Sequence, residues 1–257
     1  MRPMRGAHRD PILLLHGQPG AARDWEGVRA VIGERAETIA FDRPGWDGRR
    51  EPRGLAGNAQ AAATELDAVG VDRAVVVGHS FGGAVAAWLA ADRPDRVAAL
   101  VLVAPSANVA SLNPLDHVLA TPVLGDVLAS SALAAAGAAL SAGPLRRPVA
   151  ERLSLDERYL QAAGRRLIAP ATWRTFMLEQ RTLMRELPTL EERLGAISAP
   201  TTIVIGTEDP IVPRASAHLL ASQIPGAELV EVERANHLLP QIYSARVAEI
   251  IVSAAER

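Results

Sequence analysis

Past its first ten residues the chain runs into "ILLL" (Ile12–Leu15), an uninterrupted apolar stretch. "TIAF" (Thr38–Phe41), "AVVV" (Ala74–Val77) and "ALVLV" (Ala99–Val103) repeat the pattern. A strand with one wet face alternates apolar and polar residues. These runs do not alternate, so they read as strands covered on both faces. Between them, "WEGVRAVIGER", "NAQAAATELDAVG" and "AVAAWLAADRPDR" have helical composition and end near Gly or Pro. After residue 200 the rhythm returns with "TTIVIG" (Thr201–Gly206), "RASAHLLASQIP", "AELVEV" (Ala227–Val232) and a last helix in "SARVAEIIVSAAE". Strands alternating with helices predict an α/β fold built on a mostly parallel, doubly wound sheet. About ten residues precede the first strand, too few for a leading β-hairpin.

The stretch 106–199 breaks this rhythm. It holds no strand pattern, only helical segments parted by Pro and Gly: "PLDHVLATPVLGDVLASSALAAAGAAL", "SLDERYLQAAGRRLI" and "ATWRTFMLEQRTLMREL". Residues 1–105 and 200–257 are therefore expected to form the core, and 106–199 an inserted helical cap over the strand ends. "VLASSALAAAGAALSAG" (Val127–Gly143) is uncharged, but short and rich in Ala, Ser and Gly. A spanning helix needs about 20 strongly apolar residues, so the expectation is a soluble helix with small side chains and no stable membrane insertion.

Composition narrows the chemistry. With 257 residues and 49% hydrophobic content the chain fits one α/β domain carrying an insertion. A net charge of -2 offers no basic field for nucleic acid. There is no lysine, which removes Schiff-base, P-loop and serine–lysine chemistry, and no cysteine, which removes disulfides, thiol catalysis and thiolate metal sites. "MRPMRGAHRD" lacks the apolar centre of a signal peptide, so the expected location is cytoplasmic. Oligomeric state is not legible.

One stretch carries a nucleophile. In "VVVGHSFGGAVAAWLA" (Val75–Ala90) a G-x-S-x-G element, Gly78 to Gly82, sits between a strand and a helix. A serine in that tight corner needs small neighbours, which Gly78 and Gly82 supply, while Gly83 lets the helix approach the sheet. Ser80 then requires a base, and the base an orienting carboxylate. Of six histidines, His16 and His79 flank strand ends beside glycine, where a structural hydrogen bond is the expected role; His8, His117 and His218 fall in the terminus, the cap and a helix. His237, in the loop "ERANHLLP" beyond the final strand, remains. In "IGTEDPIVP" both Glu208 and Asp209 qualify as orienter. Asp209 is shorter and is followed by the rigid Pro210, which suits a fixed turn. Donors for a developing oxyanion are the backbone N–H of Phe81, after the nucleophile, and that of Gln18 in "HGQPG", where Gly17 permits the turn.

Taken together, "LLLHGQPG", "FDRPGWDGR", "VVVGHSFGGAVA" and "GTEDPIVP…ANHLLP" resemble the α/β-hydrolase superfamily over nearly the whole chain. The resemblance implies Ser80 as nucleophile, His237 as base, Asp209 as orienter and the Gln18 and Phe81 N–H groups as the oxyanion hole. It gives the loop from Asp42 to Trp46 a structural role. Similar dehalogenases and epoxide hydrolases carry aspartate where Ser80 stands, and iminopeptidase-like members carry a different elbow. The expected activity is hydrolysis of small to medium, largely apolar carboxylic esters through an acyl-enzyme, with no metal or organic cofactor and a small-molecule substrate as partner. Carbon–carbon bond hydrolysis, lactone opening and cofactor-free perhydrolysis share the same triad. An interfacial lipase using Val127–Gly143, or a ligand-sensing protein with little turnover, complete the alternatives.

Overall fold

The computed structural model describes residues 10–257. The readings placed on His8 and the leading residues lie on 1–9, outside the described residues. The chain runs β1 (Ile12–Leu15), α1 (Glu26–Ile32), β2 (Thr38–Ala40), α2 (Leu55–Ala68), β3 (Ala74–His79), α3 (Phe81–Asp92) and β4 (Val97–Val103). Five helices follow without a strand: α4 (Pro114–Ala120), α5 (Leu124–Ser141), α6 (Gly143–Leu153), α7 (Glu157–Leu167) and α8 (Pro170–Glu191). Then come β5 (Thr201–Gly206), α9 (Arg214–Gln223), β6 (Glu228–Val232), α10 (Leu239–Ile242) and α11 (Ser244–Ala255).

The strands form one six-stranded sheet in the order β2-β1-β3-β4-β5-β6, and every neighbouring pair is parallel. All six carboxyl ends therefore face one edge. The central strands β1, β3 and β5 are buried at every residue, as their unbroken apolar runs demand. Truncating such a residue, for instance Leu14→Ala, costs about 2–5 kcal/mol through lost transfer and a residual cavity. Thr38–Phe41 departs from expectation. As β2 it is the sheet's edge and only half-buried, because no strand covers its outer side.

Helix α3 is apolar all round and buried from Phe81 through Ala90, which marks an internal helix rather than an amphipathic surface one. Its start is wedged tightly. A Cβ on Gly82 would lie 2.4 Å from the Leu15 carbonyl oxygen, and one on Gly83 2.8 Å from Pro105 Cβ.

In the inserted segment, Asn113 and Asp156 cap α4 and α7 by accepting from backbone N–H groups of the first turn. Helix α5 is long and apolar enough to cross a membrane by length and composition. Its small residues also have a packing reason. A Cβ on Gly137 would lie 2.7 Å from the Gly164 carbonyl oxygen, and one on Gly164 2.9 Å from that of Gly137, so α5 and α7 cross backbone to backbone. The second half of α8 behaves differently: Leu183, Leu187 and Leu190 belong to the hydrophobic core. The insertion is thus rooted in the core through α8.

Candidate active site

Ser80 stands between β3 and α3 with φ 53° and ψ −120°, a positive-φ conformation that non-glycine residues rarely adopt. The turn is clamped on three sides. The Ser80 N–H donates to the Val103 carbonyl (3.0 Å), and the Ser80 carbonyl accepts from Gly83 (2.8 Å) and Ser106 (3.1 Å). A Cβ on Gly78 would lie 2.1 Å from the Gly82 carbonyl oxygen, so no other residue fits there. Held this way, Ser80 lines a cavity of about 600 Å³ between the sheet edge and the inserted helices. Phe81 opens α3, where the first N–H groups have no carbonyl partner within the helix.

His237 and Asp209 arrive from the loops after β6 and β5. His237 Nδ1 donates to Asp209 Oδ2 at 2.8 Å, and His237 lines the same cavity as Ser80. Asp209 Oδ1 accepts from the N–H groups of Ile211 (2.8 Å) and Val212 (3.0 Å), which fixes the carboxylate. Burial alone would raise the Asp209 pKa; the hydrogen bond and charge of His237, with those two N–H groups, outweigh it and hold the carboxyl below its usual range. Glu208, the other acid that qualified in the sequence, is exposed, whereas Asp209 is the one hydrogen-bonded to His237.

His16 and His79 make the structural hydrogen bonds expected of them. His79 Nε2 donates to the His237 carbonyl (2.9 Å), and burial, then the neighbouring His237, pushes its pKa down to about 3. His16 Nε2 accepts from the Arg43 N–H (3.0 Å), so Nδ1 is the protonated nitrogen and donates to the Gly17 carbonyl (2.8 Å). Burial, then Arg43, holds His16 neutral. Both imidazoles are fixed as uncharged braces.

Sequence reasoning placed Arg43 in a structural loop without finding what it binds. It is 1% exposed, and its Nε and Nη2 donate to the carbonyls of His16 (3.0 Å) and Gly17 (2.9 Å), immediately before Gln18. The guanidinium also lies 4.7 Å from the centre of the Phe81 ring. Its counter-charge is Glu179 of α8, fully buried and bonded to both Nη atoms, one at 3.1 Å. One buried pair thus joins the Gln18 loop, the residue after Ser80 and the helix leaving the cap. A signal was present: Arg43 follows a strand at its carboxyl end, and Glu179 lies at helical spacing from Phe176 and Leu183, on the inward face. Asp42 and Gly45 have structural roles, accepting from the Ala22 N–H (2.7 Å) and from Thr175 Oγ1 (3.0 Å).

The cap side of the cavity presents Leu115, Leu119, Leu133, Phe176 and Leu183. Asp116 and Gln180 add a polar seam, with Gln180 Nε2 donating to Asp116 Oδ1 (2.9 Å) and Gln18 Nε2 donating to Gln180 Oε1 (3.0 Å). On the far wall the Tyr159 hydroxyl donates to Asp24 Oδ1 (3.0 Å), and burial lifts Asp24 to about 6. Among the described residues no group of three His, Cys, Asp or Glu could hold a metal ion.

Comparison with known proteins agrees with this architecture. A protein provisionally named carbamate hydrolase RutD, from Azorhizobium caulinodans, is 30% identical over 240 residues, 88% of this chain and 84% of its own. The 2-hydroxy-6-oxo-6-phenylhexa-2,4-dienoate hydrolase of Burkholderia cepacia is 28% identical over 239 residues, 89% of this chain and 81% of its own. A thermophilic esterase from Thermogutta terrifontis superposes with a TM-score of 0.70 at 22% identity, covering 96% of this chain and 89% of its own, a likeness of fold. The sequence profile described as the alpha/beta hydrolase family matches residues 12–250, from the first strand into the last helix, and the chain belongs to that family.

Proposed function

We propose that the protein is a serine hydrolase of small to medium, largely apolar carboxylic esters. One observation carries the reading: the Asp209–His237 hydrogen bond ends at the cavity on which the strained Ser80 corner opens. Ser80 Oγ attacks the ester carbonyl while His237 Nε2 takes its proton, and Asp209 holds the imidazole with Nδ1 protonated and supports its positive charge. The backbone N–H groups of Phe81 and Gln18 receive the oxyanion. His237 returns the proton to the departing alcohol, leaving an acyl-serine. Water, deprotonated by His237, then attacks that ester and releases the acid. The apolar cap residues favour an apolar acyl or alcohol group.

The test is hydrolysis of p-nitrophenyl esters from acetate to palmitate, with fluorophosphonate labelling of wild type and Ser80→Ala. Turnover with label confined to Ser80 is the expected result. Label on Ser80 without ester turnover would move the reading to carbon–carbon bond hydrolysis, the activity named for the Burkholderia relative. No label on Ser80 would overturn the nucleophile.

A further inference from the structure

The two proposed oxyanion donors are aimed by different means. The Phe81 N–H opens α3 behind the clamped Ser80 corner, so the core alone directs it. The Gln18 N–H lies in a loop that lines the cavity, and it donates to no group among the described residues. Its direction is set from the other side of its own peptide. The Gly17–Gln18 bond is trans, and a planar trans peptide holds its C=O and N–H antiparallel. The Gly17 carbonyl accepts from Arg43 Nη2 (2.9 Å) and from His16 Nδ1 (2.8 Å). Two donors on that oxygen turn the Gln18 N–H the opposite way, away from Arg43.

Both outer holds on this peptide come from one cap helix. Glu179 of α8 carries Arg43, bonded to both of its Nη atoms. The next residue, Gln180, carries Gln18 itself. A carboxylate only accepts, so Asp116 of α4 takes a Gln180 Nε2 hydrogen (2.9 Å), and Gln180 Oε1 is left to accept from Gln18 Nε2 (3.0 Å). Gln180 is 2% exposed, and a single orientation of its amide satisfies both neighbours. Consecutive residues of α8 thus grip the carbonyl at one end of the peptide and the side chain at the other.

We infer that α8 completes the oxyanion hole: Gln180 is a positioning residue that, with the Glu179–Arg43 pair, holds the Gln18 N–H against the developing oxyanion. The inference rests on the serine-ester reading, which places the oxyanion there. It gives the cap a part in the chemical step as well as in substrate choice.

The test compares two ketones of one butyl chain on wild type and variants. The trifluoromethyl ketone forms an adduct: Ser80 Oγ bonds to its carbonyl carbon, the Ser80 proton passes to His237, and the C=O electron pair becomes the oxyanion. Its methyl twin binds as the intact ketone. Removing an oxyanion donor outright costs about 10²–10³ in kcat, so a loosened one should cost about thirtyfold. Gln180→Leu should therefore weaken the trifluoromethyl ketone about thirtyfold while leaving the methyl ketone within about threefold. On p-nitrophenyl butyrate it should lower kcat by the same factor with KM within about threefold. Gln180→Glu combined with Asp116→Asn exchanges donor and acceptor between these two positions and keeps both hydrogen bonds, so it should restore kcat and the ketone ratio to within about fivefold of wild type. An unchanged ketone ratio in Gln180→Leu, an equal loss on both ketones, or no recovery in the exchanged pair would overturn the inference and leave the ester reading standing. Absence of a Ser80 adduct in the wild type would overturn the ester reading and the inference with it.

Discussion

The two walls of the cavity are built on different principles. The core wall places Ser80, Asp209 and His237 through backbone: a clamped strand–helix corner and two loops at strand ends, each locked by main-chain hydrogen bonds. The cap wall places Leu115, Leu119, Leu133, Phe176 and Gln180 as side chains on helices, where neighbouring positions exchange without moving the backbone. The first wall suits chemistry, which tolerates little displacement. The second suits substrate choice. Arg43 and Glu179 tie one to the other, so the division is not complete.

The largest expected effect lies on the core wall. Ser80→Ala should keep the circular dichroism of the wild type and lose about 10⁶-fold in turnover; a near-normal rate would mean the corner is a packing feature. Asp209→Asn should cost about 10⁴-fold in kcat by presenting the wrong imidazole tautomer. Glu208→Gln, on an exposed side chain, should be nearly neutral. The opposite pattern would transfer the orienting role to Glu208.

The tie between the walls is probed next. Glu179→Ala strands a buried guanidinium and should destabilise the fold by about 3–5 kcal/mol in urea titration. Arg43→Met combined with Glu179→Leu should recover much of that, because an apolar pair of similar size needs no desolvation. If stability returns and kcat does not, Arg43 acts by holding the His16 and Gly17 carbonyls; if both return, it serves only as a fastener for the cap.

Asp24 gives a smaller effect with a defined sign. Its pKa of about 6 in the fold lies above its unfolded value, so the native state binds the extra proton. Stability should therefore fall as pH rises from about 4 to about 6, by roughly 2 kcal/mol, and level off above. Asp24→Asn keeps one acceptor oxygen for the Ala21 N–H, with its NH2 turned toward the Tyr159 oxygen, and should flatten that slope in urea midpoints taken at pH 4.5 and 7. An unchanged slope would place the titration elsewhere. The smallest effect is on the cap wall: Leu119→Trp should shift the ester chain-length optimum downward while leaving acetate turnover within about threefold, since it shortens the cavity without touching Ser80. A loss on acetate equal to that on long esters would show the two walls to be coupled.

Much of this protein is determined locally. Unbroken apolar runs fixed β1, β3 and β5 as buried parallel strands, because both faces of such a sheet must be covered. Gly78 and Gly82 announced the Ser80 corner, because no Cβ fits there. That Asp209 and His237 meet was legible because loops at strand ends converge on one edge. Composition could not show that Thr38–Ala40 is an edge strand, since edge or centre depends on which strand pairs with which. Nor could it show that Arg43 finds Glu179, separated by 136 residues, or that Asp116, Gln180 and Gln18 form one directed seam. Those pairings depend on how α8 crosses the sheet edge. A burial pattern tells that a side chain faces inward; only the packed structure decides what it meets there.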